Sequence, residues 1–395
     1  MLRILIVEPE SSGHHFSLYL KLIVKSLNNK VHIHLLTSSD SRFHPAFETV
    51  MRESGGNLTT HLLAPYKKSN SNATFNLFIQ QCKLYFKIKE SFKEVIKEFV
   101  IDKVFFVNID HIEKALSIFG SPFGKYPYAG IFMNPKFHKY EMGIGSKSRN
   151  DKIYKFLFKQ LLKQKTLKTI GTVDETFANY YNKNKKIKFI PEPFDLNGTM
   201  NRQQARDAFG FSEEKFVILV YGDLTLRKGI RELINGIHNN GNSNICLHFV
   251  GKTNDDTETY LKDKNVIKLI KEGRLYIKRG FQTETEQYVS FISSDIVWVG
   301  YSNGFSGSSG VYYQASSLGI PVIVNDFGLL GWLVKKHKNG IACDIYNSTS
   351  INNSVNLLVE NRTMYYELSN NALLMSKNHQ PEMFSSFVYD IIATS

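Results

Sequence analysis

The sequence predicts two successive α/β domains, each built on a parallel β-sheet covered by helices on both faces. Three observations carry this. Short apolar strand-like runs alternate with longer helix-like runs, the alternation breaks at Pro191-Glu192-Pro193, and it restarts beyond that point. A chain of 395 residues is long for a single core and suits two domains of ordinary size.

In the first half the strand-like runs are Arg3–Val7, Val31–Leu36, Lys103–Val107 and Tyr128–Met133. Helix-like runs fall at His15–Leu27, Phe75–Phe99 and Asp151–Lys168. A last strand over Ile187–Ile190 completes a domain expected to span 1–190. In the second half Val217–Tyr221, Ile245–Val250, Leu275–Lys278, Ile296–Val299 and Pro321–Asn325 read as strands. Gly229–His238, Glu284–Ile292 and Val311–Leu318 read as helices, and Gly328, Gly331 and Gly340 as turns. This second domain is expected over 191–375, with 376–395 as a C-terminal helix packing back toward the N-terminal domain.

Composition bounds the function. Hydrophobic residues make up 42% and charged residues 22%, an ordinary globular balance. Cys82, Cys246 and Cys343 lie far apart, which argues against a disulfide scaffold or a zinc site. The apolar run Leu2–Val7 ends at Glu8, too short for a signal sequence, and no stretch approaches the roughly 18 apolar residues of a membrane span. The expected address is therefore cytoplasmic, and the N-x-S/T sequons, such as the one at Asn197, are chance products of an Asn-rich chain. A formal charge of +13 points to an anionic partner: a nucleotide, a nucleic acid or an acidic lipid surface. The absence of a recognition motif weighs against nucleic acid.

In open α/β sheets ligands bind beyond the carboxyl ends of the strands, where loops meet helix N-termini. Three loops there carry suggestive residues. Gly304-Phe305-Ser306-Gly307-Ser308-Ser309-Gly310-Val311 joins a strand to a helix start, where free N–H groups attract phosphate and Ser308 and Ser309 can cap or donate. A plain capped helix start is the other reading of this segment. Gly222-Asp223-Leu224-Thr225-Leu226-Arg227-Lys228-Gly229 places two cations near such an anion, or is simply a solvated basic loop. Glu8–His15 brings Gly13, His14 and His15 after the first strand, where a histidine is either a ligand contact or a structural residue.

Taken together, Phe216 to about Asp344 resembles the retaining glycosyltransferases of the GT-B fold, the GT4-like family. The segments that carry the likeness are Lys228-Gly229, Phe249-Val250-Gly251, Arg279-Gly280-Phe281 with Glu284 and Glu286, Ser294-Asp295-Ile296-Val297, Tyr301 to Val322, and Asn339-Gly340, in order. In the first half only Gly13 and the Ile190–Asp195 hinge match. The resemblance implies two Rossmann-like domains facing each other across a cleft. It implies a UDP- or GDP-sugar donor in the second domain, and a glycan, lipid-linked or other acceptor in the first. It further implies a role in bacterial surface polysaccharide synthesis, with cations and helix amides stabilising the leaving diphosphate and no required metal. The donor would then be bound by Gly13, His14, Arg227, Lys228, Ser306, Ser308, Ser309, Gly310, Val311 and Gln314. Family members often carry a histidine at the end of an N-domain strand. Here Met133-Asn134 stands there, leaving His111 and His138 as the candidates for the catalytic position. Two family glutamates eight residues apart are replaced by Ser306 and Gln314, and a family arginine by Asp223. Those losses leave open a second class, a non-catalytic GT-B-like binding or scaffold subunit.

Asp151–Lys168 carries Lys152, Lys155, Lys159, Lys163, Lys165 and Lys168 with no acid after Asp151. Ile153, Phe156, Leu157, Leu161 and Leu162 are expected to form its apolar stripe. A basic amphipathic helix of this kind fits an anionic membrane surface on the inner face, or a core helix with a solvated lysine side.

Overall fold

A computed structural model describes residues 1–10, 15–63, 74–194, 196–302, 305 and 307–394. It divides into two units, Met1–Pro193 with Pro381–Ser395, and Phe194–Gln380.

The first unit is a parallel seven-stranded sheet of β1 (Leu2–Glu8), β2 (Val31–Ser38), β3 (Leu58–Leu63), β4 (Lys103–Phe106), β5 (Tyr128–Phe132), β6 (Leu167–Thr172) and β7 (Ile187–Phe189). The strand order is β3-β2-β1-β4-β5-β6-β7. Its helices are α1 (Lys21–Leu27), α2 (Phe47–Glu53), α3 (Thr74–Glu98), α4 (Glu113–Phe119), α5 (Asp151–Lys163) and α6 (Glu175–Tyr180). Along β1, Ile4 and Ile6 enter one core while Leu5 and Val7 enter the other. Successive side chains point to opposite faces, so a strand covered twice must be apolar at every position.

The second unit is a parallel six-stranded sheet of β8 (Phe216–Tyr221), β9 (Ile245–Gly251), β10 (Leu275–Arg279), β11 (Ile296–Val299), β12 (Val322–Asn325) and β13 (Gly340–Cys343). Its order is β10-β9-β8-β11-β12-β13. The helices are α7 (Arg202–Phe209), α8 (Ile230–Ile237), α9 (Asp255–Tyr260), α10 (Lys264–Lys271), α11 (Glu284–Ile292), α12 (Gly310–Ser317), α13 (Gly328–His337), α14 (Ser348–Glu360) and α15 (Arg362–Ser376). Ile218 and Val220 of β8 face one core and Leu219 the other. Each such buried aliphatic side chain contributes about 1.5–3 kcal/mol.

The last helix, α16 (Pro381–Thr394), packs in the first unit. Phe384, Val388, Ile391 and Ile392 join the core that holds Ile23 and Leu27 of α1. Lys103 Nζ donates to the Ile392 and Ala393 carbonyls at 3.1 and 3.0 Å, a cation at the negative end of the helix.

Three expectations are corrected. The helix expected over Asp151–Lys168 ends at Lys163, and Leu167–Thr172 is strand β6. Gly328 and Gly331 lie in α13, and Gly340 opens β13, where turns were expected. Ile153 and Phe156 are 57% and 59% exposed, and the buried residues of α5 are Phe158 and Leu161.

In each sheet the order reverses once, between β1 and β4 and between β8 and β11. Connections leaving those paired strands run to opposite sides, which opens a crevice at the carboxyl ends. Backbone packs tightly there in the second unit. Gly251 has φ +141°, and a Cβ on it would lie 1.9 Å from the Gly222 carbonyl oxygen. Gly251→Ala is therefore expected to lower stability by about 3 kcal/mol or more, the cost of a strained φ plus a backbone clash. Gly56→Ala, at φ +85° with nothing within 4 Å of the new Cβ, is expected to cost only about 1–2 kcal/mol. Urea unfolding of the two variants measures the difference.

Candidate functional site

Both reversal points carry polar side chains. In the second unit the loop after β8 turns through a short 3₁₀ segment, Leu226–Lys228, and stops at Gly229 with φ +64°. A Cβ at Gly229 would come within 2.3 Å of the Gly300 carbonyl, so the β8 and β11 loops touch through backbone. They are also hydrogen-bonded. Trp298 Nε1 donates to the Lys228 carbonyl at 2.8 Å, and the Ser302 amide to that of Arg227 at 2.9 Å.

This stitching turns Lys228 inward. Its ammonium donates to the Tyr221 carbonyl at 2.7 Å and to the Tyr301 hydroxyl at 3.4 Å, and the residue is only 9% exposed. Tyr301 is fixed in turn, its amide on Asn325 Oδ1 at 3.0 Å and its hydroxyl 3.1 Å from Ser309 Oγ. Burial would raise the Tyr301 phenol, but Lys228, the Ser309 hydroxyl and Arg227 together bring it below its ordinary value. Arg227 is exposed and lies over the Tyr301 and Phe305 rings, 5.2 and 5.0 Å from their centroids. Those rings stack at 3.9 Å.

Ser309 is the N-cap of α12 but makes no side-chain cap hydrogen bond, so its hydroxyl serves Tyr301 instead. Ser308 Oγ is buried with no partner among the described residues. Gly310 is exposed at the helix start, with Val311 and Gln314 half-buried behind it. The structure thus brings Arg227, Lys228, Ser308, Ser309 and Gly310 to the two adjoining loops. Ser306, Gly13 and His14 lie outside the described residues.

In the first unit the reversal point is acidic. Glu8 and Glu10, at the end of β1, are 0% and 7% exposed, and the Glu10 amide donates to Glu8 Oε1 at 2.9 Å. From the loop after β4, His111 Nε2 lies 2.7 Å from Glu10 Oε2. Desolvation pulls the His111 imidazole down, but Glu10, Asp110 and Glu8 outweigh it and its pKa is raised. Asp110 accepts from the Met133 and Asn134 amides at 2.8 and 2.9 Å, tying the end of β5 to the same crevice. Burial pushes its carboxyl up to about 6 against the pull of His111 and the Met133 amide.

His138 lies elsewhere. It is fully buried against α6, with Nε2 2.8 Å from Thr176 Oγ1 and its ring 5.1 Å from that of Phe177. Burial lowers it to about 4 in spite of Asp174. Sequence reasoning missed Glu10, Asp110 and the pivotal role of Tyr301. The available signals were an acid closing an apolar strand and a tyrosine one residue past Gly300.

Two parallel-sheet Rossmann-like domains define the GT-B architecture. Residues 201–375 match the family model described as glycosyl transferases group 1. No curated protein matches the chain by sequence. Among solved structures the chain is similar to HepE from Anabaena in complex with UDP and glucose, at 15% identity and TM-score 0.67, covering 100% of both chains. It is also similar to sucrose-phosphate synthase from Thermosynechococcus elongatus, at 14% identity and TM-score 0.72, with 100% of both chains covered. A third similar structure is WaaG, a glycosyltransferase involved in lipopolysaccharide biosynthesis, at 13% identity and TM-score 0.66, again over 100% of both chains. The chain has the GT-B fold, and residues 201–375 in its second domain match glycosyl transferases group 1.

The Glu10–His111 pair sets a testable pH dependence. A raised histidine pKa contributes stability that is complete below the unfolded value of about 6.5 and is lost as pH rises through the folded value. Glu10→Gln is expected to drop the His111 pKa and flatten the stability loss above that pH. Histidine titration by NMR and urea midpoints across pH 6–9 measure both, and an unmoved His111 titration would refute the pairing.

Proposed function

We propose that the chain is a retaining glycosyltransferase that moves a sugar from a nucleotide-sugar donor to a glycan, lipid-linked or other hydroxyl acceptor in surface polysaccharide synthesis. The observation that carries this reading is the Lys228–Tyr301–Ser309 cluster at the β8/β11 reversal point, beside the N-terminus of α12. An ammonium has three N–H donors, and two of them hold protein oxygens. The third, with Arg227 and the amides of Gly310 and Val311, would take the charge that grows on the departing diphosphate. HepE has been crystallised with UDP and with UDP-glucose, which favours UDP over GDP as the base to test first.

In this mechanism the acceptor oxygen bonds to the anomeric carbon on the face the phosphate leaves. The C–O bond to phosphate breaks with its electron pair, and the acceptor proton passes to a phosphate oxygen. No step requires a metal. Glu10 and His111 would bind hydroxyl groups in the first domain, one carboxylate accepting and one imidazole donating. Gln314 can accept from a ribose hydroxyl through its amide oxygen in place of the family acid. Membrane attachment would bring the enzyme to a lipid-linked acceptor.

Lys228→Ala is expected to weaken UDP binding about 10- to 100-fold, the range for a lost charge-assisted hydrogen bond, with Arg227→Ala milder. Calorimetry with UDP measures this, and unchanged affinity in both variants would remove the diphosphate from this cluster. Turnover of a UDP-sugar in the presence of EDTA is the expected result of a donor panel. Binding without turnover of any donor would favour the scaffold class instead.

A further inference from the structure

Two of the apolar residues of α5 that periodicity assigns to the core, Ile153 and Phe156, are on the outside. Phe156 is 59% and Ile153 57% exposed, and Lys152, Lys159 and Lys163 are exposed with them. Positions 152, 156, 159 and 163 recur at i, i+4, i+7 and i+11, so Phe156 stands in a stripe of lysines on one helix face. The loop before α5 adds to it. Tyr140 is 50% exposed, Lys147 Nζ lies 5.7 Å from its ring centroid, and Arg149 is exposed.

The acids of this stretch are already engaged. Glu141 accepts from Lys155 Nζ at 2.7 Å and from the Tyr180 hydroxyl at 2.6 Å. Asp151 accepts from the Ser148 amide at 2.7 Å at the head of α5. Among the described residues Lys147, Arg149, Lys152, Lys159 and Lys163 make no ion pair. Three large exposed side chains, Tyr140, Ile153 and Phe156, thus share this surface with five cations against two acids, Glu141 and Asp151.

We propose that this β5–α5 surface docks on an anionic lipid bilayer. Ile153, Phe156 and Tyr140 would enter the headgroup boundary, while the cations meet lipid phosphates and the lysine stems lie along the apolar layer. The charge complementarity selects an anionic partner. The aliphatic Ile153 beside Phe156 selects a lipid over a nucleic acid, because isoleucine offers bases no stacking face. Position supports the choice. A helix following a parallel strand starts at the strand's carboxyl edge, so Ile153 and Phe156 in the first two turns lie at the edge that carries His111 and Asp110. The biological sense of the surface rests on the proposed lipid-linked acceptor, but its test does not.

The test is flotation of the full chain with phosphatidylcholine vesicles, with and without phosphatidylglycerol. Binding to the anionic vesicles alone is expected. Lys152→Glu with Lys159→Glu should weaken it well over tenfold, since each cation near such a surface is worth about fivefold. Ile153→Ser with Phe156→Ser should weaken it by about tenfold. The thermal shift induced by UDP reports folding and should be equal in parent and variants. Vesicle binding unchanged in either double variant overturns the proposal, as does displacement of vesicles by single-stranded RNA. Absence of a UDP shift in the parent would count against the donor reading and leave the vesicle result standing.

Discussion

A lysine ammonium can leave water only where oxygen atoms replace its hydration shell. In the second domain that constraint organises everything around Lys228. The Tyr221 carbonyl and Tyr301 hydroxyl supply the oxygens, so the loop after β8 must bend back on its own strand. Gly222 at φ +96° and Gly229 at φ +64° make the bend possible. The Trp298 indole then holds the Lys228 carbonyl, and Asn325 at the end of β12 holds the Tyr301 amide. Three adjacent strands contribute to placing one cation. A group held so firmly loses little entropy on meeting a ligand, which is the physical content of preorganisation.

The first domain solves the converse problem. Glu8, Glu10 and Asp110 bring acid to a place with limited water, and these carboxyls raise the pKa of His111, which lies 2.7 Å from Glu10. The two reversal points therefore carry opposite charge on the same topology. A basic crevice suits phosphate, and an acidic one with an imidazole suits neutral hydroxyl groups. That contrast fits the proposed division between donor and acceptor.

Much of the fold was legible because parallel strands buried on both faces read as unbroken apolar runs, as in β1, β8 and β11. The elements that escaped lack that property. β3 is an edge strand with the half-exposed Thr59, Thr60 and His61, and no Gly or Pro separates Lys163 from β6 to mark the end of α5. Gly331 was misread as a turn because its reason is packing. A Cβ there would lie 2.6 Å from the Asp326 carbonyl carbon, inside a helix. At the candidate site, sequence identified the cations and serines but not their dependence on Tyr301. The Glu10–His111 pair was out of reach, since it joins two strands that become neighbours only through the sheet order. Which stripe of α5 is buried was likewise undecidable, because either side of that helix offers apolar residues at the right spacing.

The formal charge of +13 and the charge that would bind the donor are different populations. Lys228 is buried and hydrogen-bonded, so salt screens it little, and it is a single residue. The surplus is expressed at exposed sites such as Lys147, Arg149, Lys152, Lys159 and Lys163, whose fields extend about 8 to 10 Å at physiological salt before screening removes them. Charge of that kind does not orient a diphosphate, because exposed lysines are mobile and strongly hydrated. It does act on a large charged surface, where many weak attractions add. Composition therefore bears on the proposed surface partner, and only the buried geometry around Lys228 and Tyr301 bears on the proposed donor.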